Sequence, residues 1–128
     1  MVESAVSGAK EYQFVQDDFR YVDIYFGSLH FSGMEIVYLE KMPLWAMTYS
    51  GGMIRHMGRA ENVYMFLRQA LSLPDAEIPV RGPKHFTAGK YTYNLSTNGT
   101  IGRFSGREII EDDAEEVYSL DFSGGFLN

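Results

Sequence analysis

The pattern of hydrophobic positions changes period along the chain, and these changes predict the order of the structural elements. Residues 19–26 are rich in β-branched and aromatic side chains and end at a glycine, which is typical of a strand. Two further strand-like runs, 34–39 and 44–50, are joined by a short turn that contains Pro43. Residues 59–73 instead repeat with the period of an amphipathic helix that stops before a proline. The apolar stripe of this helix consists of Val63, Phe66, Leu67, Ala70 and Leu71.

The second half of the chain repeats this order. Three more strand-like runs follow the helix, at 86–95, 100–110 and 116–123. A weaker helical pattern at residues 2–11 precedes the first strand, and a polar link over 13–18 joins the two. The predicted order is therefore α-βββ-α-βββ. This order indicates an α+β fold, in which an antiparallel sheet carries one strong helix.

An internal repeat at a constant offset of 73 residues supports a duplicated unit. The run FSGMEIV at 31–37 returns as FSGREII at 104–110, and YSGG at 49–52 returns as FSGG at 122–125. Since internal repeats dictate architecture, the sequence predicts one domain over residues 1–128 with a pseudo-twofold axis. The repeated unit spans 31–52 and 104–125, and we expect the two copies to form equivalent hairpins.

The predicted hairpins also assign side chains to faces of the sheet. If the turn near Pro43 is a two-residue loop, strict alternation separates an aromatic face from a face beside the helix. Glu35 and Glu108 then fall on the helix side. The aromatic face is predicted to carry Trp45, Tyr49, Tyr118 and Phe122. Because that face is too apolar to be exposed, we expect strong curvature, a partner subunit or a ligand to cover it.

The composition limits the classes of protein that fit. The chain has 128 residues and no cysteine, which excludes disulfides and thiolate chemistry and suits a cytoplasmic location. Seventeen acidic residues against eleven basic ones give a net charge of -6, which argues against direct binding to nucleic acid. No apolar stretch reaches the length of a membrane span, and the first residues do not read as a signal peptide. Nine tyrosines and nine phenylalanines favour sheets and aromatic surfaces.

Glu35 and Glu108 are the residues with the strongest chemical interest. Each is an acid within an apolar strand, where an unpaired carboxylate is costly to bury. Three roles stay open: pairing with donors or an arginine such as Arg81, recognition of a cationic ligand beside aromatic rings, or acid and base catalysis by the pair. The candidate ligand-binding residues are Glu35, Glu108, Trp45, Tyr49, Tyr118, Phe122 and Arg81.

Other kinds of site find little support in the sequence. The three histidines are scattered and have no metal-ligand spacing, so neither a metal nor a cofactor is expected. The short segments around Ser50 and Ser123 lack the glycine two places before the serine that a nucleophile elbow needs. These observations favour a protein that is not an enzyme.

Several motifs, in their order and spacing, resemble a known family. They are Tyr21-x-Asp23-x-Tyr25-x-Gly27, Phe31-x-Gly33-x-Glu35-x-Val37, Pro43-Leu44-Trp45-x-Met47-x-Tyr49-x-Gly51, Arg81-Gly82-Pro83 with Tyr91-x-Tyr93, Phe104-x-Gly106-x-Glu108, and Val117-Tyr118 running into Gly124-Gly125. Together they resemble the bacterial domain of unknown function family 5680. The resemblance implies no assigned activity. Members occur alone or after a helix-turn-helix domain, which implies a module for sensing or interaction; the DNA-binding role itself is not carried over.

The sequence alone does not determine the function, but it ranks the classes. The residues favour a non-enzymatic domain that senses a small ligand or interacts with a protein, and the resemblance implies a setting in bacterial regulation. The expected ligand is cationic or aromatic, and a homodimer is left open. Two other classes remain as alternatives: a small hydrolase or isomerase that uses Glu35 and Glu108, and a structural dimerisation module that buries the aromatic face.

Overall fold

Among the residues that the structure describes, nine antiparallel strands form one sheet in the order β1-β2-β3-β4-β5-β9-β8-β7-β6. The computed structural model describes residues 2–4 and 6–128. The strands are β1 (Val2–Glu3), β2 (Lys10–Gln16), β3 (Phe19–Gly27), β4 (His30–Leu39), β5 (Met42–Met53), β6 (His85–Ala88), β7 (Tyr91–Thr100), β8 (Arg103–Asp112) and β9 (Glu115–Phe126). A 3-10 turn at Met57–Arg59 leads into helix α1 (Ala60–Leu71). Within residues 2–4 and 6–128, no helix is long and apolar enough to cross a membrane.

The fold is mostly β, so the predicted α+β class with α-βββ units is wrong. The segment predicted as an amino-terminal helix contributes β1 and the start of β2; residues 1 and 5 lie outside the described residues. The sequence pattern does not indicate β2, because its side chains are largely polar and are exposed to solvent near the edge of the sheet. The run predicted as one strand at 86–95 is a hairpin, β6 and β7, which turns at Gly89 with a φ of 60°. Strands β2–β5 before α1 therefore correspond to β6–β9 after it, and the short strand β1 is additional to the first half.

The two halves meet where β5 pairs with β9 at the centre of the sheet. Strands β4 and β8 both have ten residues, and β5 and β9 both have twelve. Tyr49 lies directly opposite Phe122, and these two residues are also equivalent in the 73-residue repeat. A pseudo-twofold axis that relates the two central hairpins therefore passes between Tyr49 and Phe122.

A β-bulge in each central hairpin changes which side chains share a face. The β4–β5 loop has two residues as expected, but the register shifts between Val37 and Tyr38, and Leu44 is the extra residue on β5. The β8–β9 hairpin shifts at the equivalent point, with Val117 as the extra residue. Since one inserted residue reverses the alternation, Glu35 pairs with Met47 on the aromatic face. The prediction that the aromatic residues and the two glutamates lie on opposite faces is wrong for this reason. The glutamates lie on the helix side as predicted, and the aromatic residues share that side with them.

Helix α1 packs on that same aromatic face, which we call the inner face. Val63 and Phe66 are buried in the core. The Phe66 ring stacks on Phe86 and Tyr91 with centroid separations of 5.5 and 5.3 Å. Tyr64 meets the inner face with edge-on contacts to two further rings, those of Phe31 and Tyr118. Helix α1 of the same chain therefore covers much of the aromatic face.

The burial of α1 predicts the cost of shortening one of its core side chains. Leu67 is 6% exposed, so Leu67→Ala should lower the free energy of unfolding by about 2–5 kcal/mol through lost burial and a residual cavity. Met65 on the opposite side of α1 is 51% exposed. Met65→Ala is the matched control, and it should change the free energy of unfolding little. Chemical denaturation measures both. A loss below about 1 kcal/mol for Leu67→Ala would show that α1 contributes little to the core.

Candidate functional site

Two glycines on the inner face allow the rings at the pseudo-twofold axis to lie flat across the neighbouring strands. A side chain at Gly33 would collide with the Tyr49 ring, and one at Gly106 would collide with the Phe122 ring. The absence of a β-carbon lets Tyr49 extend from β5 over β4, and its hydroxyl donates a hydrogen bond of 2.6 Å to Asp23 on β3. Phe122 takes the equivalent place without a hydroxyl. The scaffold is thus symmetric, whereas the chemistry on it is not.

In the second half, Glu108 is fully buried, and its carboxylate accepts hydrogen bonds from three side chains of the same chain. Arg81 donates from Nε to Oε1 at 3.0 Å and from Nη2 to Oε2. Tyr93 donates to Oε1 at 2.7 Å, and Tyr118 donates to Oε2 at 2.6 Å. The Tyr93 hydroxyl in turn accepts a hydrogen bond from the Gly82 amide at 3.0 Å. These contacts tie the segment before β6 to the sheet and leave the carboxylate inaccessible. We call Arg81, Tyr93, Glu108 and Tyr118 the arginine cage.

The charges of the arginine cage stabilise each other. Burial alone would lower the pKa of Arg81, but the Glu108 carboxylate raises it above the ordinary value by charge and by hydrogen bonding. Burial raises the pKa of Tyr93 and of Tyr118, and the negative charge of Glu108 raises both further. Both hydroxyls therefore keep their protons and remain donors. The cage is a satisfied buried ion pair.

In the first half, Glu35 occupies the equivalent position but is differently surrounded. Asp23 lies directly opposite it on β3, where the second half has Leu95 opposite Glu108. Tyr21 is its phenolic neighbour, as Tyr93 is for Glu108. Both acids are half-buried. We call Tyr21, Asp23, Glu35 and Tyr49 the acid pair site.

The acid pair site opens into a cleft of about 600 Å³ between the inner face and α1. Its floor includes Asp23 and Glu35 on the strands, and Tyr49 also lines it. The other lining residues are aromatic, basic, aliphatic or small: Lys10, Tyr25, Gly27, Ser28, Phe31, Tyr64, Leu67, Arg68, Leu71 and Arg81. This volume lies within the 300–1,000 Å³ that is usual for small-molecule sites. Lys10 and Arg68 are exposed, whereas the guanidinium of Arg81 is engaged by Glu108.

The acids of the site resist ionisation. Burial raises the pKa of Glu35 to about 7; the Tyr21 hydroxyl opposes this, the Asp23 charge adds to it, and Arg81 opposes it. Burial likewise raises the pKa of Asp23, against the hydrogen bond from Tyr49 and the charge of Arg81. Part of the Glu35 population is therefore protonated at neutral pH. A cation placed beside the two acids would favour their charged forms.

The structure separates the residues that the sequence grouped as one site. Glu35, Tyr49 and Arg81 line the cleft, while Glu108 is enclosed in the arginine cage. Tyr118 also belongs to the cage. Trp45 and Phe122 lie in the core away from the cleft lining: the Trp45 indole donates to the Ile101 carbonyl at 3.0 Å and stacks on Phe104.

Sequence reasoning missed Asp23, although a signal was present. Asp23 is an acid within an apolar, aromatic strand, and that criterion selected Glu35 and Glu108. Tyr25, Phe31 and Tyr64 had no such signal, because an aromatic residue in a strand or helix usually packs in the core.

The geometry limits what the acids can do together. Glu35 on β4 and Glu108 on β8 are three strand spacings apart, roughly 14 Å across the sheet, and one of them is enclosed. They do not form a catalytic pair; the neighbour of Glu35 is Asp23. Among the described residues, no group of three or more histidine, aspartate or glutamate side chains could hold a metal ion.

Comparison with known proteins places the chain in one family. Residues 23–127 match the family model described as "Domain of unknown function (DUF5680)". This span includes most of the sheet, α1, the arginine cage and both acids of the acid pair site, and the chain belongs to this family. No curated protein and no solved structure matches it.

The arginine cage predicts a strong, coupled effect on stability. Glu108→Gln leaves a buried guanidinium without its counter-charge, so it should lower the free energy of unfolding by about 3–5 kcal/mol. Arg81→Met should also destabilise, and the double variant should lose less than the sum of the two because neither charge is then left alone. Chemical denaturation of the three variants measures this. Additive losses would contradict a paired cage.

In the acid pair site, replacing the glutamate by glutamine is expected to raise the free energy of unfolding, by an amount that depends on pH. The folded protein holds the Glu35 proton up to a pKa of about 7, above the ordinary 4.5, so this group's contribution to stability is full below pH 4.5 and is lost as the pH rises through 7. Glu35→Gln removes that loss. The variant should gain stability relative to wild type between pH 4.5 and 7 and keep the gain at pH 8, as thermal denaturation would show. The exposed acid Glu61 supplies the control Glu61→Gln, which should give no such trend; a flat difference for Glu35→Gln would refute the raised pKa.

Proposed function

We propose that this chain is a non-enzymatic domain that binds a small cationic or aromatic molecule in the cleft. The observation that carries the proposal is the placement of Asp23 and Glu35, side by side on adjacent strands, in the floor of a ligand-sized cleft. Two neighbouring acids repel each other when both are ionised. A bound cation relieves that repulsion, so the site gains more from a cation than from any neutral ligand.

The walls of the cleft support the same class of ligand. Tyr25, Phe31, Tyr49 and Tyr64 all line it. Ring faces attract positive charge and offer apolar contact area, and a cation near an aromatic ring is favoured by about 0.5–2 kcal/mol. An acid pair with aromatic walls therefore suits an amine or related cation that carries an apolar or aromatic part.

The alternative classes are less well supported by this geometry. A hydrolase or isomerase that uses Glu35 and Glu108 needs both carboxylates at one substrate, but Glu108 is enclosed by Arg81, Tyr93 and Tyr118. A module that dimerises through its aromatic face needs that face open, but α1 covers much of it. A homodimer through another surface is compatible with ligand binding.

The family resemblance supplies a setting for the proposed binding. The resemblance implies members linked to helix-turn-helix domains in bacteria, so we place the domain in bacterial regulation, in the cytoplasm, as the part that detects the ligand. Direct contact with nucleic acid is not part of this role, because the chain carries a net charge of -6. The ligand, rather than DNA, is the partner of the cleft.

Binding of benzylamine, with benzyl alcohol as its neutral counterpart, tests the proposal. Isothermal titration calorimetry should detect the amine and not the alcohol, and Glu35→Gln and Asp23→Asn should each weaken the amine at least tenfold. Affinity should increase between pH 5.5 and 8, because ligand binding competes with the proton on Glu35, whose pKa is about 7. Glu61→Gln should bind like wild type. Equal affinity in wild type and Glu35→Gln would contradict the proposal.

A further inference from the structure

The arginine cage shows what one copy of the duplicated site binds. Glu35 and Glu108 are equivalent in the repeat, and the Glu108 copy holds a guanidinium, that of Arg81. The arginine reaches it from the segment before β6, with two nitrogens directed at the two carboxylate oxygens. The second half therefore contains, as part of its own chain, a cation bound at this acid.

The first half has the receiving groups, but its own strands and loops supply no arginine at the equivalent position. In the second half, Phe86 lies opposite Tyr93, and Arg81 is five positions before Phe86. In the first half, Phe14 lies opposite Tyr21, and the residue five positions before Phe14 is Ala9. No guanidinium is supplied from that position. In place of it the cleft opens beside Glu35.

The remaining differences between the copies increase the capacity of the first half for a cation. Leu95 opposite Glu108 is replaced by Asp23 opposite Glu35, which adds a second acid. Phe122 is replaced by Tyr49, whose hydroxyl donates to Asp23 and orients it. A carboxylate whose donors come from the protein is held in one orientation, as Glu108 is by its two tyrosines.

We propose that the ligand of the cleft carries a guanidinium or amidinium group, which binds Glu35 and Asp23 as the Arg81 guanidinium binds Glu108. This inference rests on the proposed function and names its ligand class. The planar fork of a guanidinium matches the two oxygens of a carboxylate, and it has donors left over for a second acid. A primary ammonium is a point charge and cannot make the same paired contact. The rest of the ligand lies against the aromatic wall.

Three benzyl compounds of similar shape separate the ligand classes: benzylguanidine, benzylamine and benzylurea. Calorimetry on the full chain at pH 8 should give a dissociation constant for benzylguanidine at least tenfold below that for benzylamine, and benzylurea should not bind, because it has the planar shape without the charge. Glu35→Gln and Asp23→Asn should each weaken benzylguanidine at least tenfold. Thermal denaturation of each variant at the same pH verifies that it is folded.

The outcomes distinguish this inference from the function it rests on. Benzylamine binding that depends on Glu35, with benzylguanidine no tighter, would overturn the guanidinium assignment and leave a cation site. Absence of binding by both cations would overturn both proposals. Equal binding of benzylurea and benzylguanidine would show that shape alone is recognised and would also refute the assignment. A second control, Glu61→Gln, changes an exposed acid on α1 outside the cleft lining and should leave benzylguanidine binding intact.

Discussion

The one-residue bulge in each central hairpin is the constraint on which the acid sites depend. Leu44 and Val117 reverse the alternation of β5 and β9, so the aromatic side chains of these strands share the inner face with Glu35 and Glu108. An acid in that position must be paired, hydrogen-bonded or reached by solvent. The chain meets this requirement in two ways. Arg81 closes one site permanently, and the other site remains open at a cleft.

The duplication explains how one scaffold carries both a closed acid site and an open one. Gly33 and Gly106 leave the same space on β4 and β8, and the rings at the pseudo-twofold axis fill it in both halves. On this common frame, Asp23 stands where the second half has Leu95, and it adds a second acid to the floor of the cleft. The arginine cage joins the segment after α1 to β7, β8 and β9, and thereby holds one wall of the cleft in place. The buried ion pair of the second half thus helps to keep the cleft of the first half in shape.

The strands, the helix and the repeat are visible in the sequence because each follows a regular period. The bulges are not, because Leu44 and Val117 are apolar and suit either face. Strand β2 is hidden by its polar side chains, which an outer strand can expose to solvent. The pairing of Arg81 with Glu108 was one of the alternatives from the sequence, but choosing it required the tertiary contact. The cleft depends on where α1 lies, and no local pattern encodes that position. Asp23 could have been found by the argument that selected Glu35.

The central claim is that the two equivalent acids have separated into a filled site and an open one. A crystal structure of the protein with benzylguanidine tests it most directly. The account predicts a guanidinium within hydrogen-bond distance of Glu35 and Asp23, its ring against the aromatic wall of the cleft, and Arg81 still bound to Glu108. A ligand bound away from both acids would contradict the account. So would an Arg81 side chain that had left Glu108 to occupy the cleft beside Glu35.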